Sequence, residues 1–176
     1  FDGHAFIQDA LQAGAAATFT ARERESYLPD KCYIKVDSTQ KALRDLARWY
    51  KGKFDIPFIG ITGSVGKTTT KDMVAAVLGE RFKVLKTEGN FNNEIGMPLT
   101  VLAMPENTQV CVLEMGMSDL GEISRMTNIA NPDIAVITNI GNSHIENLGS
   151  RENICKAKLE ITEGVPENGY VILNAD

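Results

Sequence analysis

The stretch GITGSVGKTTT, residues 60–70, ends in the Gly-Lys-Thr of a phosphate-binding loop. The general pattern places another glycine five positions before Gly66; Ile61 stands there, with glycines at Gly60 and Gly63 instead. The apolar FIGIT before the turn suits a buried strand, and the sequence from Lys67 suits a helix. In that setting Gly63, Ser64, Val65 and Gly66 can fold their backbone N–H groups around phosphate oxygens, while the helix N-terminus adds positive potential. Lys67 would reach the β- and γ-phosphates, the Thr68 hydroxyl would bind Mg2+, and Thr69 completes the turn. The plainer alternative is a tight strand-to-helix turn with an exposed lysine. The strand before and the helix after favour the phosphate loop.

Outward from this loop, short apolar runs alternate with amphipathic segments. Strands are expected over 57–62, 82–87, QVCVLEM, DIAVITNI and the final YVIL; helices over 67–80, 94–103, 119–128 and 151–163. This order predicts an α/β fold of the P-loop type: a mostly parallel sheet with helices on both faces. Before it, HAFIQDALQAGA reads as a helix ending at Gly14, followed by β-like runs at AATFTA and CYIKV. Ser38 can cap a further helix whose Leu43, Leu46, Ala47 and Tyr50 share one face. A boundary near residue 53 divides the tail of a small α/β domain (1–53) from a larger domain (54–176). The chain opens at Phe1 and ends just past an apparent strand, so a piece of a longer protein is expected.

The 176 residues carry a net charge of −5, which argues against non-specific nucleic-acid binding. No apolar run is long enough to span a bilayer. Cys32, Cys111 and Cys155 are odd in number and widely spaced, as expected of reduced thiols in a cytoplasmic protein.

Four other segments fall where strands end, the edge at which such sheets bind ligands. Glu114 closes the run VCVLE and could anchor a metal beside the phosphate loop; alone it would read as a solvated carboxylate. Asn139, His144 and Glu146 cluster in TNIGNSHIENLG, although a lone loop histidine is usually surface. Lys156 and Lys158 are two apart on a helix, so only one can face the ligand edge. Residues 88–100, EGNFNNEIGMPLT, hold Asn90, Asn92 and Asn93; on composition they suit a turn and a polar substrate equally.

Together these segments resemble the Mur ligases, ATP-dependent amide-forming enzymes of peptidoglycan synthesis. That family's loop, T-G-[ST]-x-G-K-[ST], matches residues 62–68 throughout and carries no glycine at the place of Ile61. Its strand-end Glu, its N-x-x-x-x-H-x-[DE] segment and its helix lysine fourteen residues after the histidine match Glu114, residues 139–146 and Lys158. GNFNNEIGMPLT and LEMGMSDLGEI look most like the D-alanyl-D-alanine-adding branch. The resemblance places the chain across the end of a nucleotide-sugar-binding domain and the first part of the central ATPase domain, a fragment inactive alone.

The resemblance implies ATP and two Mg2+ ions as cofactors, with UDP-N-acetylmuramoyl-tripeptide and D-alanyl-D-alanine as substrates of a monomeric enzyme. It assigns catalysis to Lys67, Glu114, His144 and Lys158, and metal binding to Thr68, Glu114, His144 and Lys158. Asn90, Asn92 and Asn93 go to the muramoyl-peptide. It further implies that Lys158 is carboxylated, since a bare ammonium cannot ligate Mg2+; the competing reading is a Lys158 salt bridge with a carboxylate such as Glu114. Another ligase of the superfamily, adding a different residue or resembling folylpolyglutamate synthase, stays open. So does a nucleotide-dependent switch, although the N-K-x-D and D-x-x-G of a GTPase are absent.

Overall fold

The computed structural model describes residues 2–23 and 26–175, in two compact units, Phe1–Asp45 and Leu46–Asp176. The division falls inside a helix, α2 (Thr39–Lys51), and the boundary expected near residue 53 follows that helix's last turn.

In the first unit a 3-10 turn, Gly3–Phe6, leads into α1 (Ile7–Gln12). The single helix expected here is therefore split. Asp2 Oδ1 accepts from His4 N at 3.1 Å and starts the tighter turn, while Gly14, at φ +110, ends the helix. Ile7 and Leu11, one helical turn apart, are buried. Strands β1 (Ala17–Thr20) and β2 (Cys32–Lys35) pair in parallel. His4 Nε2 accepts from Ala21 N at 3.0 Å, so Nδ1 carries the proton that Asp2 Oδ1 receives at 2.7 Å. The histidine is thereby a structural tie. At the start of α2, Ser38 Oγ accepts from Lys41 N at 3.3 Å, the expected cap.

The second unit is a five-stranded parallel sheet in the order β4-β5-β3-β6-β7. In chain order its elements are β3 (Phe58–Thr62), α3 (Lys67–Gly79), β4 (Val84–Lys86), α4 (Gly96–Leu102), β5 (Val110–Glu114), α5 (Glu122–Ala130), β6 (Ile134–Ile137), α6 (Ile145–Leu148), α7 (Arg151–Leu159) and β7 (Tyr170–Leu173). The period-2 geometry of strands sorts their side chains between two cores. Phe58, Cys111, Leu113, Ala135 and Ile137 join Met97, Val101, Ile123, Met126 and Ile154 from α4, α5 and α7. Ile59, Ile61, Val110 and Val112 face the other way, onto Ala75 of α3. Both faces of β3 and β5 are covered, so all five residues of each are buried.

Two elements differ from expectation. The last helix is α-helical only to Leu159 and continues as a 3-10 turn, Glu160–Gly164. The helix expected from residue 119 begins at Glu122, because the Glu160 carboxylate accepts from Gly121 N at 2.7 Å and Ser124 N at 3.0 Å. A carboxylate at a helix N-terminus satisfies otherwise orphaned N–H groups. The short α6 has no counterpart in the sequence pattern.

At the opposite end of the sheet from the strand tips, Asp133 stitches three strands. Its Oδ2 accepts from Phe58 N at 2.8 Å, its N donates to Phe58 O at 2.8 Å, and its O accepts from Tyr170 N at 2.9 Å. Asp133→Ala should cost about 1–3 kcal/mol by leaving the Phe58 N–H unpaired, and Asp133→Asn should cost less. Denaturant midpoints of the two variants check this; equal stabilities would show that the side-chain bond contributes nothing.

Candidate active site

Sheet register brings the strand tips to one level. Ile61 lies opposite Glu114, and Thr62 opposite Ile137, so the segments leaving β3, β5 and β6 emerge side by side.

The phosphate loop depends on its glycines. Gly63 has φ +151, and a Cβ there would overlap Thr138 Oγ1. Gly66, at φ +81, precedes α3 in the left-handed region. No side chain caps α3, which leaves its first N–H groups for an anion. The segment after β6 braces the loop. Thr138 Oγ1 donates to Val65 O at 2.6 Å, and Asn139 Oδ1 accepts from Ser64 N at 3.2 Å and Val65 N at 3.0 Å. Ser64 Oγ in turn accepts from Gly141 N at 2.8 Å. Lys67 Nζ donates to Gly63 O at 2.9 Å, its charge spent on the loop itself. Val65, Thr68 and Thr69 are exposed beside it.

Glu114 is 1% exposed. Its Oε1 accepts from Asn92 Nδ2 at 2.8 Å, and its backbone N donates to Thr87 Oγ1 at 3.0 Å. Oε2 is buried with no hydrogen-bond partner. A buried, unsatisfied carboxylate oxygen is costly unless a cation completes it, so this atom fits a hard metal ion. Among the described residues no group of three or more His, Cys, Asp and Glu could hold a metal. An ion here would therefore draw on hydroxyl, phosphate and water oxygens as well, the usual habit of Mg2+.

Lys158 is 2% exposed, on the inner side of α7 with Ile154 and Ala157, whereas Lys156 is exposed. Burial, reinforced by the nearby Lys67 charge, lowers the Lys158 amine to about 8. The competing ion pair between Lys158 and Glu114 is not formed: Glu114 is bonded by Asn92, and among the described residues the cation nearest to it is Lys71, at 3.9 Å. His144 sits exposed at the start of α6 with φ +65, a conformation uncommon for a residue with a side chain. Its neighbour Ser143 donates from Oγ to Ser64 O at 3.4 Å, tying this segment to the phosphate loop. Glu146 is exposed in the first turn of α6.

The three asparagines divide. Asn92 is bonded to Glu114, and Asn93 Oδ1 accepts from Ile95 N at 3.1 Å and Gly96 N at 2.8 Å, where the chain enters α4. Asn90 is exposed. Two features escape sequence reasoning: the bracing of the loop by Thr138 and Asn139, and the buried Lys71. Lys71 carried a usable signal, since it lies four residues after Lys67 and so on the same face of α3.

The family pattern described as Mur ligase middle domain matches residues 61–176. A UDP-N-acetylmuramoyl-tripeptide–D-alanyl-D-alanine ligase of Bacillus subtilis (strain 168) is 55% identical over 176 residues, which make up 38% of that protein. MurF from Acinetobacter baumannii superposes with a TM-score of 0.94 at 32% identity, over the whole chain and 38% of its own. MurF ligase from Thermotoga maritima, in complex with ADP, superposes with a TM-score of 0.92 at 39% identity, over the whole chain and 40% of its own. The chain thus spans well under half the length of the relatives it matches.

Because a methyl group at position 63 collides with Thr138, Gly63→Ala should weaken by roughly 10-fold or more any nucleotide binding that uses this loop, with ADP as the probe. Calorimetric titration of the full-length protein measures this, and an unchanged affinity would exclude a nucleotide-binding role for the loop.

Proposed function

This chain belongs to the Mur ligase family, and we propose that it supplies the phosphate-binding part of an ATP-dependent ligase. That enzyme would join D-alanyl-D-alanine to UDP-N-acetylmuramoyl-tripeptide in peptidoglycan synthesis. The observation that carries the reading is the uncapped α3 N-terminus and its glycine loop, set one strand away from a buried carboxylate oxygen without a partner. The substrate pair follows from the names of relatives as similar as 55% over the whole chain.

In this reading a tripeptide carboxylate oxygen attacks the γ-phosphorus of ATP, ADP leaves, and an acyl phosphate forms. The dipeptide amine then attacks the acyl carbon, loses a proton and expels phosphate. Lys67 leaves the Gly63 carbonyl to meet the β- and γ-phosphates, so its charge is transferred to the anion whose charge moves in the transition state. The loop N–H groups of Ser64 and Val65, which donate to Asn139 Oδ1, would turn to phosphate oxygens when nucleotide binds. Thr68 and Glu114 would hold one Mg2+, and His144 and Lys158 a second; bound there, the ions would neutralise the repulsion between γ-phosphate and incoming carboxylate.

For Lys158 the supporting facts are its burial, its lowered basicity and the absence of any carboxylate partner among the described residues. A neutral amine in such a place can add carbon dioxide and become an oxygen ligand, and we assign Lys158 that carbamate. Residues 88–93 are assigned to the muramoyl-peptide through Asn90, Asn92 and Asn93, with Asn92 also linking that loop to Glu114. The remaining assignments are a domain boundary near residue 53, a monomeric enzyme and a cytoplasmic location. Among the described residues no helix is long and apolar enough to cross a membrane.

Two experiments on the full-length enzyme test the site. Lys67→Ala should fold normally and lose on the order of 10²-fold or more in ligation rate; near-normal turnover would defeat the assignment. Lys158→Ala should be nearly inactive and partly restored by added short carboxylic acids, while Lys156→Ala stays mild. A carbamate carbon signal from ¹³C-labelled bicarbonate, present in wild type and lost in Lys158→Ala, is the direct readout. Full activity of Lys158→Ala with no such signal would exclude the modification.

A further inference from the structure

Lys71 lies outside every motif discussed above, yet it is 2% exposed and its ammonium is within the site. It stands one helical turn below Lys67 on α3, with Nζ 3.9 Å from Glu114 Oε2 and 3.5 Å from Asp72 Oδ1. Asp72 Oδ1 in turn accepts from Lys86 Nζ at 2.8 Å, so charges alternate from Glu114 through Lys71 and Asp72 to Lys86. The separation from Glu114 is too long for a hydrogen bond. Lys71 therefore supplies a positive charge beside Glu114 without occupying a lone pair of Oε2, which has no hydrogen-bond partner.

We propose that Lys71 is the resident counter-cation of Glu114: it keeps the buried carboxylate in place while no metal is bound, and yields that task to a divalent cation arriving at Oε2. The inference rests on the reading of Glu114 as a metal anchor. Two observations support a hand-over over a permanent pair. Glu114 already takes its hydrogen bonds from Asn92 on Oε1 and Thr87 on its backbone, so what Lys71 adds is charge and not a hydrogen bond. Asp72, half-exposed and closer to Nζ, offers the ammonium another partner when a second positive charge arrives. A buried carboxylate that loses a neighbouring cation is strongly destabilising, whereas removing both charges together costs much less. Lys71 is thus a positioning residue, and its role is visible in stability before any turnover is measured.

The test uses full-length, nucleotide-free enzyme, heated in chelator, in millimolar Mg2+, and in K+ at matched ionic strength. Lys71→Met should lower the unfolding midpoint in chelator by on the order of 10 °C. Mg2+, unlike K+, should restore most of that loss, while wild type and Lys71→Arg shift little. Lys71→Met combined with Glu114→Gln should regain stability in chelator and show no Mg2+ response. A Lys71→Met midpoint equal to wild type, or lowered equally in all three media with no recovery in the double variant, overturns the proposal. If the double variant recovers but Mg2+ moves no protein, the metal reading of Glu114 falls and the hand-over with it. If Lys71→Met yields no folded protein, recovery of folded protein in the double variant supports the pairing, and failure to recover overturns it.

Discussion

The bracing of residues 63–66 against the end of β6 is the constraint from which the site follows. Thr138 fills the space where a side chain at position 63 would lie, and Asn139 takes up two loop N–H groups. A loop of exposed backbone donors would otherwise sample many shapes, at an entropic cost on the order of 1–2 kcal/mol for each residue fixed. Here that cost is met during folding by neighbouring strands, so an anion has only to take the two N–H groups over from Asn139. The bracing is possible only because β3 and β6 are adjacent and in the register that sets Thr62 beside Ile137.

The second organising feature is electrostatic. A chain of net charge −5 gathers Lys67, Lys71 and Lys158 around one edge of its sheet, two of them buried. Lys67 rests on a carbonyl, and Lys158 is depressed to about 8 by burial and by Lys67. Of these three, Lys71 alone faces a carboxylate among the described residues. Concentrated positive charge with so few internal partners is suited to receiving anions, and the low-dielectric surroundings strengthen that attraction. Glu114, one oxygen satisfied and one open, is the counterpart suited to receiving a cation.

Much of this was legible in the amino-acid sequence. Strand and helix periodicities are local, so the alternating order, the parallel class and helices on both faces could be read directly. Gly-Lys-Thr after a buried strand carried the glycine turn into α3, because glycine torsions and a helix start are also local properties. The split of the first helix was not legible: it follows from the Asp2 carboxylate bonding His4 N. Nor was the late start of α5, which is decided by Glu160 from a distant element.

Sequence by itself determined that the glycine loop and Glu114 fall at strand ends. Tertiary structure decided their partners. It gave Glu114 to Asn92 and Lys71 and left Lys158 buried with no carboxylate partner among the described residues. It also divided three similar asparagines between a carboxylate, the entrance to α4 and solvent. The reason is physical: pairing between groups far apart in the chain depends on strand order and register, which no local pattern encodes. A lysine four residues beyond the phosphate-loop lysine reads as one more charge on a helix until packing places it, dry, beside an open carboxylate oxygen.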